Sequence, residues 1–342
     1  MMLMRKILVT GATGQIGSEL VPRLRSIHGG ENVVVGVHER QPSNDLKKSG
    51  PFDTVDVTDK RSIDKTVEKY GIDTIYHMAA ILSAAGERNP RLTWDVNVNG
   101  TYNVLEVARQ HDIARVWHPS SVAVFGPETP RKNAPQETVL KPRTMYGLTK
   151  VVCELLGNYY FEKLGLDIRG ARYPGIISTT LPGGGITDYA VEMFYEAIKH
   201  KHYTCFLSED TVLPMMYMPD CIRATVELMN ADLSELKHHV DFNLGGMSFS
   251  PRELAEEIKQ HIPNFKIDYR PDFRQAIADS WPETINDSVA HKEWGWKPHY
   301  DLAAMVKDMV ERLGRHYEEV QLRDSFQSSS VMPCADAKEG MK

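Results

Sequence analysis

The chain has 342 residues, 42% apolar and 25% charged, with a formal net charge of -6. That size supports one large or two modest domains with a proper core. Negative charge without a basic run argues against a nucleic-acid surface, and the short, interrupted apolar runs argue against a membrane span. The four cysteines (Cys153, Cys205, Cys221, Cys334) lack paired or metal-ligand spacing, and the thirteen histidines form no HxxxH or HExxH pattern. No metal is therefore expected, and the thiols are read as reduced in an intracellular, soluble protein. Met1–Lys6 runs straight into the first strand, with no standard signal or transit peptide.

Lys6–Thr10 is a short apolar run that fits a buried parallel strand. Gly11-Ala-Thr13-Gly14-Gln15-Ile16-Gly17 follows at once and opens a helical pattern through Leu20 and Leu24. Glycines at a strand-to-helix junction permit a tight turn and the close approach of a pyrophosphate to a helix N-terminus. Val33–Val37 is the second strand. At its end a dinucleotide fold places an acid for the ribose 2′-hydroxyl. His38-Glu39-Arg40 stands there instead. Glu39 is the candidate acid, and Arg40 is placed to attract a 2′-phosphate.

Thr54–Val57 reads as a further strand-like segment, with Asp56 and Val57 toward the adenine. Asp73–Ala80 reads as a strand ending in the small residues Met78-Ala79-Ala80, where a cofactor can lie against the sheet edge. The stretch 81–92 is expected to be a long loop, with Ser83 in position to meet substrate. Leu92–His111 carries helical periodicity around Asn97 and Asn99. Asparagine inside a helix is intrinsically unfavourable, which suggests a task for it.

Ala114–Pro119 is the next strand, and Ser120 and Ser121 follow at its carboxyl end, where ligands bind in open parallel sheets. Tyr146-Gly-Leu-Thr-Lys150 comes next, its tyrosine and lysine four apart on one helix face. A free tyrosine, with a pKa of about 10, is a poor base at neutral pH. An adjacent ammonium favours the phenolate, and a serine hydroxyl holds the oxygen whose proton is taken. Asp167–Tyr173 is another strand, followed by Pro174-Gly175-Ile176 and the glycine run Gly183-Gly-Gly185-Ile-Thr187-Asp188. Trp281 is either a core plug or a lid over the site. Strands alternating with helices this regularly imply an α/β fold: a Rossmann-type doubly wound parallel sheet with a smaller C-terminal lobe. The expected division is 1–176 for the nucleotide domain with a return segment at about 212–235, 177–317 for the substrate lobe, and 318–342 as a disordered tail.

These motifs together resemble the extended short-chain dehydrogenase/reductases. Pro119–Gly126, Gly183–Ala190, Met216–Asp220 and Ala278–Pro282 resemble, more narrowly, the epimerase-like L-threonine 3-dehydrogenases over residues 5 to about 315. The resemblance implies NAD-dependent oxidation of L-threonine, with Tyr146 as base, Ser121 on the reacting oxygen, and Lys150 on the nicotinamide ribose. It implies a cofactor shell of Gly11, Thr13–Gly17, His38, Glu39, Asp56, Val57, Met78–Ala80, Asn97, Asn99, Ser120, Tyr146, Lys150 and Tyr173–Ile176. Ser83, Ser121, Tyr146, Gly185, Thr187 and Trp281 would meet the substrate. It further implies a homodimer through a four-helix bundle, in the mitochondrial matrix of a eukaryote or otherwise the cytoplasm. His38 departs from the aspartate common in that group. A nucleotide-sugar epimerase or dehydratase with tightly held NAD is the rival, with Arg88, Arg91, Arg143 and Arg274 as possible diphosphate contacts. A non-catalytic NAD(H)-binding protein is the second alternative.

Overall fold

The computed structural model describes residues 5–181 and 183–329. Fourteen strands are among them: β1 (Ile7–Thr10), β2 (Val33–Val37), β3 (Phe52–Thr54), β4 (Thr74–His77), β5 (Arg115–Trp117), β6 (Ser120–Ser121), β7 (Ile168–Arg169), β8 (Ala171–Tyr173), β9 (Gly175–Ile177), β10 (His202–Cys205), β11 (Leu213–Tyr217), β12 (Phe242–Asn243), β13 (Met247–Phe249) and β14 (Lys266–Tyr269). The α-helices are α1 (Gln15–His28), α2 (Asn44–Lys48), α3 (Lys60–Tyr70), α4 (Ser83–Arg88), α5 (Pro90–Trp94), α6 (Gly100–Gln110), α7 (Met145–Leu164), α8 (Tyr189–His200), α9 (Met218–Asn230), α10 (Pro251–His261), α11 (Arg274–Ala278), α12 (Ser288–Trp294) and α13 (Leu302–Ser329).

The central sheet is parallel, in the order β3-β2-β1-β4-β5-β7. The strand period of two explains its layers. Ile7, Val9, Val33 and Val35 pack on one face with Leu20 and Leu24 of α1 and Leu228 of α9. Leu8, Val34, Ile75 and Val116 pack on the other, with Ile63 of α3 and Leu105 of α6. Both faces are dry, as a doubly wound sheet requires. A third core, built on Phe194, Tyr189, Leu254 and Met309, fills the lobe of α8, α10 and α13.

Beyond β5 and β7 the sheet breaks and resumes. β6 pairs in parallel with β8, Ser120 opposite Arg172 and Ser121 opposite Tyr173. The expected single strand Asp167–Tyr173 is thus two, divided at Gly170, whose amide turns aside to the carbonyl of His239.

Four expectations are corrected. The loop at 81–92 contains α4 and the start of α5. β3 covers Phe52–Thr54, not Thr54–Val57, because β2 ends at Val37, opposite Thr54, and offers no partner beyond it. The periodic stretch 92–111 is interrupted by a π-turn at Asp95–Asn99 between α5 and α6. The tail expected from 318 is helical through Ser329, a run without Gly or Pro after Gly314; residues 330–342 lie outside the described residues. The α10 start is as its sequence suggests: Ser250 and Glu253 form a capping box with Pro251 in the first turn.

Candidate active site

At the β1–α1 turn Gly11 has φ +62°, and a Cβ there would lie 2.6 Å from the Ala79 amide nitrogen. A Cβ at Gly17 would lie 2.5 Å from the Gly11 carbonyl oxygen. Only glycine permits that approach. α1 starts at Gly14 with no side-chain cap and no acid in its first turn. Its first amides are therefore left for an anion, which fits the pyrophosphate of a dinucleotide. Thr13 and Ile16 flank this turn. Gln15 points elsewhere, its amide donating to Ser178 Oγ at 3.2 Å.

His38 and Glu39 are exposed at the end of β2. His38 Nε2 lies 3.6 Å from Asp56 Oδ2, while Asp56 Oδ1 accepts from the Thr58 amide and hydroxyl. Met78–Ala80 leave β4 along the same carboxyl edge. Asn97, in the π-turn, does not face open space. It brackets the backbone of Ile81, accepting from its amide at 2.8 Å and donating to its carbonyl at 3.0 Å, and reaches Thr149 Oγ1 on α7. It ties the segment after β4 to α7. Asn99 is turned outward onto Asp95, because the π-turn rotates it off the site. Tyr173 is buried, its hydroxyl engaged by Thr225, so only its backbone borders the cleft.

The candidate reacting groups come from two elements. Thr144 caps α7 by accepting from the Gly147 amide, which sets Tyr146 in the first turn and Lys150 one turn on. Gly147 lets the helix approach: a Cβ there would fall 2.1 Å from the Ala123 carbonyl oxygen. Three successive residues of the β5–β6 strand end then meet one face of α7. The Pro119 carbonyl accepts from Lys150 Nζ at 2.7 Å, Ser120 Oγ donates to Glu154 Oε1 at 2.5 Å, and the Ser121 hydroxyl faces the Tyr146 phenol. Ser120, the neighbour that competes with Ser121 on sequence grounds, is thereby removed from the cleft.

Burial pushes the Tyr146 phenol up to about 12, against the lowering contact from Ser121. Burial likewise pushes the Lys150 ammonium down to about 8, opposed by Cys153 and Glu154. In this arrangement the lowering contact is that of Ser121, while the Lys150 amine, expected to bring the phenol down, is turned to Pro119 and lies 5.6 Å from the tyrosine ring centre. Beneath the lysine, burial holds His77 down to about 3 and His118 well below the usual imidazole range, so both are neutral. His77 is structural, between Thr10 Oγ1 (2.8 Å) and Thr101 Oγ1 (3.2 Å).

On the substrate side, Ser83 begins α4 and is buried, and the Ala84 amide donates to the Gly184 carbonyl. The Asp188 carboxylate accepts from the Gly184 and Gly185 amides at 2.8 and 2.7 Å and so gathers the glycine run. Burial, outweighing those amides, pushes it up to about 6. The Thr187 methyl rests on Gly175. Trp281 is buried in the lobe core and acts as a plug rather than a lid. Sequence reasoning missed Glu154, Gly147 and Asp188. Glu154 carried a usable signal, since it repeats the four-residue step from Tyr146 to Lys150. Among the described residues no group of His, Cys, Asp and Glu is arranged to hold a metal, and no helix is long and apolar enough to cross a membrane.

The family model for NAD dependent epimerases/dehydratases matches residues 7–245. The chain belongs to that family and is an enzyme of the extended short-chain dehydrogenase/reductase type. An uncharacterised epimerase/dehydratase of Staphylococcus saprophyticus is 46% identical over 321 residues, spanning 93% of this chain and 100% of its own length. Among solved structures, the L-threonine dehydrogenase of Clostridium difficile superposes with a TM-score of 0.89 at 48% identity, covering 92% of this chain and 99% of its own. A monomeric L-threonine 3-dehydrogenase from a metagenome does so with 0.87 at 47%, covering 90% and 99%.

Proposed function

We propose that this enzyme oxidises the 3-hydroxyl of L-threonine to 2-amino-3-oxobutyrate with NAD. The observation that carries the reading is the convergence of Ser121, Tyr146 and Lys150 at one strand end, in a chain alike over almost its whole length to threonine dehydrogenases. The cradle of Gly11, Gly14 and Gly17 would hold the pyrophosphate, with His38, Glu39 and Asp56 toward the adenosine and Lys150 toward the nicotinamide ribose. Bound NAD supplies the hydride acceptor. Ser121 holds the substrate hydroxyl by a hydrogen bond, and Tyr146 Oη takes its proton. Lys150 carries the positive charge that offsets the phenolate once its amine leaves Pro119. Thr187 and Gly185 border the amino acid.

The test is NADH formation by purified protein with L-threonine, L-serine and UDP-sugars. Threonine-dependent NADH is expected, with serine poorer by no more than roughly 10–200-fold, the range one missing methyl supports. Interconversion of UDP-sugars without threonine oxidation would transfer the site to epimerase chemistry.

We also propose that two copies pair through α6 and α7. Leu148, Leu155 and Tyr159 form an outward apolar stripe on α7, 41%, 65% and 55% exposed, beside Tyr102 of α6. Sedimentation of the parent and of Leu155→Glu tests it: a dimer reduced to monomer is expected, and a monomeric parent, as the metagenome relative is described, would end the idea.

A further inference from the structure

Glu154 and Arg172 form a buried ion pair that the chemistry above does not use. Each is 3% exposed. Arg172 donates from Nε to Glu154 Oε1 at 2.9 Å and from Nη2 to Oε2 at 2.8 Å. Its Nη1 reaches the Gln136 carbonyl and Asn243 Oδ1, and its guanidinium lies over the Phe125 ring. Arg172 is also the partner of Ser120 across the β6–β8 ladder. Glu154 thus joins three elements, gripping both members of one cross-strand pair from the helix. Burying two charges is costly, and apolar residues of the same size are often no less stable there. Stability alone therefore does not account for the pair.

Position does. Tyr146, Lys150 and Glu154 stand at i, i+4 and i+8, on one face of α7. Each meets a successive residue of the opposing strand end: Ser121, Pro119 and Ser120. Two of those contacts belong to reacting groups that change partners or protonation during a turnover. The middle residue, Ser120, is held by a contact that does not change.

We propose that Glu154, braced by Arg172 and gripping Ser120, is a positioning residue that fixes the register between strand end 119–121 and helix α7. This rests on the assignment of Tyr146, Lys150 and Ser121 as the reacting groups. Loss of the contact leaves cofactor and substrate sites in place but lets the hydroxyl of Ser121 drift from the phenol. A displacement of about 1 Å in such a site can cost as much as ~100-fold in rate.

The experiment compares parent, Ser120→Ala and Glu154→Gln by NADH fluorescence titration and by kcat and KM for threonine. Both variants should bind NADH within a few-fold of the parent, hold KM, and lose kcat by roughly 10–100-fold. Parent-like kcat in both variants, corrected for folded fraction, would overturn the proposal, as would a loss confined to KM or to NADH affinity. Should Glu154→Gln not fold, the kcat of Ser120→Ala decides alone. Should the parent not oxidise threonine, the functional reading fails separately, and the same kcat comparison on UDP-sugar interconversion decides the proposal.

Discussion

Tyr146 carries the sharpest test at the scale of single residues. Tyr146→Phe keeps the ring and its packing but removes the oxygen that takes the substrate proton. A general base contributes typically 10²–10⁴-fold, so threonine turnover should fall by about that factor while NADH affinity, set at Gly11–Gly17, stays near the parent's. Turnover within a few-fold of the parent would show that another group is the base. Because burial raises the phenol in the resting site, the reactive deprotonated form grows as pH rises. kcat/KM should therefore climb through the neutral range into alkali, and a flat profile in stopped NADH assays would count against Tyr146. The Tyr-Lys spacing and the glycine run were legible because each encodes its chemistry in local order. Ser120 stood beside Ser121 as a near competitor in the sequence, and Glu154, 34 residues beyond Ser120, engages that hydroxyl. Asn97 was singled out correctly as unusual, yet its partners Ile81 and Thr149 lie 16 and 52 residues away, beyond any local pattern.

Among elements, the long connection between β6 and α7 is held down where its sequence looks loose. His238, after α9, lies between Glu293 of α12 (2.8 Å) and Glu137 of that connection (3.1 Å). Burial acts to lower the imidazole, but the two carboxylates outweigh it and its pKa is raised. A histidine raised on folding stabilises fully below its unfolded value of about 6.5, and the contribution disappears as pH rises through the higher folded value. His238→Gln should therefore lower the melting temperature most in mild acid and least in alkali. An equal loss at every pH would show that packing alone is involved. Such staples escape sequence reading because the partners are single charges in three separate segments. The same holds for α4, which is too short for periodicity to reveal, and for β3, whose extent is set by the end of its neighbour.

For the whole molecule, the parallel central sheet and the double layering of helices followed from strands alternating with helices and could be anticipated, though not the order of the strands. The return of α9 onto α1 lies within the return segment expected at about 212–235, whereas the threading of β11 between β9 and β13 depends on contacts across the full chain. Those crossings join the dinucleotide cradle and the C-terminal lobe, so a ligand in the cradle should stabilise both together. NAD at a hundred times its dissociation constant should add about 2.7 kcal/mol to the unfolding free energy and raise a single melting transition. Two separately shifting transitions in calorimetry, or a rise with UDP-glucose but not NAD, would contradict that coupling.

Lys150 is 3% exposed and its amine is bound to a backbone carbonyl. Acylating reagents that couple proteins to beads or dyes attack exposed, solvated amines first, and Lys47, Lys65 and Lys132 are exposed. Random attachment through surface lysines should consequently leave the Lys150 amine untouched, and the enzyme can be fixed to a solid support by the commonest coupling chemistry without a protecting ligand.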